Sequence, residues 1–132
     1  MSFLTKLLGL DKVFSRSTVS SQTEDKIKAE WKNINILLAG KAPSQLRQAL
    51  ISADKCLDNA LGDIVDGKTL GERLKKSQNK FDRNVYNNIW EAHKIRNSLI
   101  HESGYEPPHY MLTKGVDDLK RGLEALGVFV ER

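Results

Sequence analysis

Apolar residues recur along most of this chain at three- and four-residue steps, the period of one face of an α-helix. Ile27, Trp31, Ile34 and Leu38 form the first long stripe, and Gly40 followed by Pro43 predicts its end. A second stripe runs through Leu46, Leu50, Ala53, Leu57, Leu61 and Ile64, with Ser44 the expected N-cap. Gly62, Gly67 and Gly71 break that pattern, and residues 70–80 read as a short helix laid across an end or side of the others. A third long helix is expected over residues 82–102, stopped by Gly104 and the pair Pro107 and Pro108. The fourth begins near Tyr110 and carries Leu112, Val116, Leu119, Leu123 and Leu126, with Gly127 as its C-cap and VFV as a tail adding contacts. Strand-like alternation and internal repeats are missing from the sequence. The fold class expected is therefore all-α, an antiparallel four-helix bundle with an additional short helix.

The beginning of the chain follows a different pattern. Phe3, Leu7, Leu10 and Phe14 also fall at helical steps, but the stretch is short and leads into the polar run STVSSQTED. It reads as an amphipathic helix that docks on the body of the protein, on a partner or on a membrane surface, joined by a linker. Residues 1–20 are thus expected to be an appendage, and residues 21–132 the helical domain.

Length and composition narrow the possibilities. A chain of 132 residues buries a core without a metal or disulfide, and leaves no room for a second catalytic domain. A 39% hydrophobic and 29% charged composition argues against a disordered or collagenous chain. One Cys rules out an internal disulfide framework, and three His leave little material for a metal site. No apolar run approaches the roughly 18 residues of a membrane span. These features suit a cytoplasmic location, with weak membrane-surface contact through the N-terminal stretch left open. The formal net charge of +4 permits an anionic partner such as RNA without demanding one.

Several positions are candidates for chemistry. Arg73, Lys75, Lys76, Lys80 and Arg83 cluster around the short helix, either as a solvated face or as contacts to an RNA backbone. Over the whole chain the basic residues are scattered, and no helix-turn-helix spacing is evident, which argues against DNA specificity. Asp54 and Asp58 stand one turn apart on the second long helix. They either solvate a surface, orient an arginine such as Arg96, or hold a cation. Cys56, with no base assigned by spacing, reads as a small half-buried side chain.

The third long helix carries the densest signal. At about 100° per residue, Val85, Ile89, Ala92 and Leu99 share a face turned toward the core. Tyr86, Trp90, His93, Asn97, Ile100 and His101 share a second, with Arg96 between the two. Two aromatics among imidazoles and amides suit an interface or a functional cleft. They also suit an ordinary half-exposed core edge, in which Arg96 forms a structural ion pair and His101 meets the helix dipole.

On this helix the segment WEAHKIRNSLIHE resembles the signature of the HEPN-domain ribonucleases: Arg96, the polar Asn97 directly after it, and His101 after four intervening residues. The all-helical pattern and the motif's place near the end of the third long helix fit the same family, and the resemblance spans roughly residues 24–127. It implies a metal-independent endoribonuclease without a cofactor that acts as a homodimer on single-stranded RNA. In that family the motif helices of two subunits meet, and the products are a 2′,3′-cyclic phosphate and a 5′-hydroxyl.

Arg96, Asn97 and His101 would then be catalytic. His101 would move a proton near neutral pH, Arg96 would present a planar charged fork to the phosphoryl group, and Asn97 would orient His101 or bind phosphate. His93, Arg73, Lys75, Lys76 and Lys80 would bind substrate. Tyr86, Trp90, His93, Asn97 and Ile100 would form the dimer contact, and Asp54 and Asp58 would support the site. Arg96 and His101 lie about 140° apart on one helix, so a second copy crossing nearby would bring one subunit's arginine toward the other's histidine.

The family's settings imply toxin–antitoxin or antiviral defence, with an antitoxin or a larger complex as a further partner. Tyr105 stands four residues past His101, whereas toxins paired with a nucleotidyltransferase place a modified tyrosine two residues past it; that departure argues against regulation by nucleotidylation. Two other functions remain open: a catalytically silent module of the same fold that binds RNA or protein, and a structural adaptor anchored by its N-terminus.

Overall fold

The computed structural model describes residues 18–131. It contains α1 (Ser21–Gly40), α2 (Pro43–Gly62), α3 (Leu70–Lys76), a 3-10 turn (Gln78–Lys80), α4 (Arg83–His101) and α5 (His109–Ala125), and no strand among those residues. The regular structure of the described residues is all helical, as the periodicity predicts. None of these helices is long and apolar enough to cross a membrane. The N-terminal stripe of Phe3, Leu7, Leu10 and Phe14 lies outside the described residues.

The last five residues of the polar run, 21–25, form the first turn of α1, and Ser20 caps it. Ser20 sits in an extended conformation before α1, and its side-chain oxygen accepts the Thr23 N–H at 3.2 Å. Its own N–H and O–H donate to Asp63 Oδ2 at 2.9 and 2.8 Å, which ties the start of α1 to the residue following α2. Residues 21–25 are polar because they form the solvated first turn of an amphipathic helix, whose first core residue is Ile27.

α1 ends at Gly40, as expected, but the details of its connection to α2 differ. Gly40 remains helical, and the left-handed residue is Lys41 at φ 61°. Gly40 serves here through its lack of a side chain: a Cβ would stand 2.1 Å from Gln45 Oε1, the atom that accepts the Ala42 N–H at 3.1 Å. The N-cap position belongs to Ala42 rather than Ser44, because Pro43 has the fixed φ suited to a first helical residue. At the other end of the chain Gly127 caps α5 as expected. It adopts φ 87°, with Gly127 N–H on Glu124 O and Val128 N–H on Leu123 O, both at 2.9 Å. The tail then buries Val128 and Val130, and Asn35 of α1 donates to Glu131 O at 2.8 Å.

The central element is α2, which packs against α1, α3, α4 and α5. It is buried over a wide arc: Leu46, Leu50, Leu57 and Leu61 face the core, and small residues at 49, 53, 56 and 60 extend the stripe to its flanks. The fourth stripe is fully buried through Leu112, Val116, Leu119 and Leu123. Two glycines let α5 approach its neighbours closely. A Cβ at Gly115 would lie 2.8 Å from Leu50 Cδ1, and one at Gly122 would lie 2.7 Å from Ile89 Cδ1 and 3.4 Å from Leu57 Cδ1.

Gly122→Val puts a branched side chain into that three-helix contact. It is expected to cost about 1–3 kcal/mol by overpacking, read as a lower denaturation midpoint at unchanged m-value. An unchanged midpoint would show that α5 has room to move away.

Candidate functional site

Asp54 is where the polar chemistry of the molecule begins. It lies on the buried stripe of α2, between Leu50 and Leu57, and only 3% of its surface is exposed. A carboxylate in that position requires partners, because burying an unpaired charge is costly. All of them come from α4. His93 Nδ1 donates to Asp54 Oδ1 at 3.0 Å, and Arg96 Nε lies 3.5 Å from Oδ2 as an ion pair without a hydrogen bond.

Asn97 closes the arrangement into a circuit. Its Oδ1 accepts from Arg96 Nη1 at 3.1 Å, and its Nδ2 stands 3.4 Å from His93 Nε2. The path Asp54–His93–Asn97–Arg96–Asp54 is chemically consistent in one assignment: Nδ1 carries the imidazole proton, Nε2 keeps a lone pair, and the amide offers its oxygen to the guanidinium. Residues 93, 96 and 97 reach the same side of α4 because three- and four-residue steps bring side chains together on a helix.

The circuit lines one wall of an open cleft of about 650 Å³ between α2, α4 and the start of α3. Trp90 forms another wall. Its ring meets His93 edge-on at 6.0 Å between centroids and Tyr86 at 6.3 Å, and Tyr86 lies 6.4 Å from Phe81. The start of α3 runs beside this aromatic row, where a Cβ on Gly71 would make ordinary contact with Trp90 Cη2 at 3.4 Å. Lys55 and Lys94 are exposed at the rim, and Arg96 keeps 32% of its side-chain surface accessible.

The sequence-derived candidates are thus partly gathered and partly dispersed. Arg96, Asn97, His93 and Asp54 come together, with Trp90 beside them. His101, the last residue of α4, is exposed and does not line this cleft, and Ile100 beside it is 46% exposed. Tyr86 is half-buried. Of the roles open to Asp54 and Asp58, the contact with Arg96 belongs to Asp54, and the two carboxylates turn to different partners. Asp54 takes His93 and Arg96, while Asp58 pairs with Arg73. Arg73 is thereby drawn out of the basic patch into a half-buried ion pair, whereas Lys75, Lys76 and Lys80 are exposed.

Cys56 is buried, as its place on the stripe suggests. Burial, reinforced by the nearby Glu30 carboxylate, pushes its thiol up to about 12, with Lys55 opposing. It stays protonated at neutral pH and is no nucleophile. The residue that spacing undervalued is His93. The signal was present in Asp54, a carboxylate at a core position of α2 for which a buried partner had to exist.

Asp54→Ala should destabilise the fold by roughly 2–4 kcal/mol in chemical denaturation, because it leaves the His93 donor and the Arg96 charge without their acceptor. Asp58→Ala should cost no more than about 1 kcal/mol, because its pair with Arg73 is half-exposed. Equal losses would mean that the circuit does not hold α4 on α2. No family model, curated protein or solved structure matches the chain, so what this cleft does rests on the chemistry of its own side chains.

Proposed function

We propose that this protein is a metal-independent endoribonuclease with a HEPN-like four-helix bundle, acting as a homodimer on single-stranded RNA. The observation that carries the reading is the grip of one buried carboxylate, Asp54, on both Arg96 and His93 at the wall of an open cleft. A guanidinium fixed from behind and accessible in front is a preorganised site for a phosphodiester, whose equatorial oxygens gain charge as cleavage proceeds. Lys55 and Lys94 at the rim, with Lys75, Lys76 and Lys80 on and after α3, supply positive charge for neighbouring phosphates.

The ribose 2′-hydroxyl attacks the adjacent phosphorus, Arg96 stabilises the phosphoryl group, and His101 transfers a proton. His101 belongs to the composite site formed where the α4 helices of two copies meet, through Tyr86, Trp90, His93, Asn97 and Ile100. Its exposure at the end of α4 leaves it accessible to such a partner. A role in toxin–antitoxin systems or antiviral defence, in the cytoplasm and with an antitoxin or larger complex, follows from the sequence resemblance alone.

One feature favours a second reading. Each member of the circuit is bonded or ion-paired to the next, as expected if its sole task is to fasten α4 to α2 in a catalytically silent binding module.

Cleavage separates the two. The wild-type chain should cut single-stranded RNA in excess EDTA and leave a cyclic phosphate, while a 2′-deoxy substitution at the cut site should block the reaction. Because His101 is exposed, His101→Ala should lose at least ~10²-fold in rate with no change in thermal unfolding, making it a cleaner probe than Arg96. Arg96→Lys should retain only part of the activity, since a point charge does not reproduce the fork. A folded wild-type protein that cleaves nothing in a broad RNA pool would establish the silent module instead.

The basic patch has its own test. Joint charge reversal of Lys75, Lys76 and Lys80 should weaken RNA binding and flatten its salt dependence, the slope falling by about one for each phosphate contact removed. An unchanged slope would assign these lysines to solvation.

A further inference from the structure

His93 and His101 lie on the same helix in opposite circumstances: one is buried and held by a carboxylate, the other is exposed at the helix end. Resting on the ribonuclease reading above, we propose that His93 is the general base of cleavage, with Asp54 its positioning residue, and that His101 is the general acid.

The hydrogen bond from Nδ1 to Asp54 Oδ1 places the single ring proton of a neutral imidazole on Nδ1 and leaves the lone pair on Nε2. Among the described residues, that Nε2 has only the Asn97 amide as a hydrogen-bonding neighbour, at 3.4 Å, beyond the length of a well-made bond. The same amide accepts from Arg96 Nη1. Asn97 therefore spans the distance between a phosphate anchor and a proton acceptor. A phosphodiester held by Arg96 has its adjacent ribose beside Nε2.

The atoms balance without a co-reactant. The 2′-hydroxyl proton passes to His93 Nε2 as the O2′–P bond forms. The P–O5′ bond breaks, and the departing oxygen takes a proton from His101 of the second copy. The products are a 2′,3′-cyclic phosphate and a 5′-hydroxyl. The imidazolium formed at His93 is stabilised by its contact with the Asp54 carboxylate.

The charged groups that line the cleft beside His93 are Asp54, Lys55 and Asp58 of α2 and Lys94 and Arg96 of α4. The start of α3 contributes Leu70 and Gly71, which carry no charge, and α5 contributes no residue to the cleft. Among the described residues Asp54 is the carboxylate that touches the ring, so the base is set by one contact.

The test is the pH dependence of kcat/KM for the full chain on a single-stranded RNA pool in EDTA, from about pH 5 to 9. The wild type should give a bell, with the acid limb reporting the base and the alkaline limb reporting the acid. His93→Gln, whose amide can still donate toward Asp54, should lose at least ~10²-fold and its acid limb while still unfolding cooperatively. His101→Ala should lose the alkaline limb instead, and Asp54→Asn should lower kcat far more than it changes KM. If His93→Gln stays within about threefold of wild type with its acid limb intact, the assignment fails while the ribonuclease reading stands. If the wild type cleaves no RNA, both fall together. Should His93→Gln not fold, nitrogen-15 NMR of the wild-type imidazole decides: a proton on Nε2 rather than Nδ1 at high pH overturns the proposal.

Discussion

One carboxylate in the wrong place organises this molecule. Asp54 occupies a core position of α2, where a leucine would be expected, and the price of its burial has to be met by side chains from another helix. A single residue therefore sets the register of α4 against α2: sliding α4 by one turn would leave Asp54 facing apolar surface, with His93 and Arg96 stranded. Apolar contacts between helices tolerate small displacements, whereas a four-membered polar circuit does not. The leucine-rich stripes bring the helices together, and Asp54 decides how they meet.

The architecture was largely legible in the sequence because helical period is a strong, local signal. The stripes of α1, α2, α4 and α5 fall close to where spacing predicts, and Gly127 caps α5 in the left-handed conformation assigned to it. The misses occur where a residue's role depends on something distant in the chain. Ser20 looked like linker because Asp63, which its N–H and O–H both contact, is 43 residues away.

The candidate site was legible to the same degree and for the same reason. Spacing along α4 groups His93, Asn97, Ile100 and His101, and the structure divides them into a buried His93 with a half-buried Asn97 and an exposed pair at the helix end. Nothing local to His93 distinguishes it from His101. The distinction comes from α2, where Asp54 reaches one imidazole and not the other. Arg73 shows the converse: read among basic neighbours it belongs to a patch, but a carboxylate from α2 removes it.

The topology gives the circuit one further property. α1 and α2 are joined by two residues and pack as a hairpin of sequence neighbours; α4 and α5 form a second, and contacts of α2 with α5 and α4 join the halves. Asp54 belongs to the first hairpin and His93, Arg96 and Asn97 to the second, so neither half contains a site. Local hairpins form early and cheaply, while their docking must bring together residues far apart in sequence. The polar cluster thus exists only once the two hairpins have docked. Apart from that docking its members are hydrated polar groups on two separate faces.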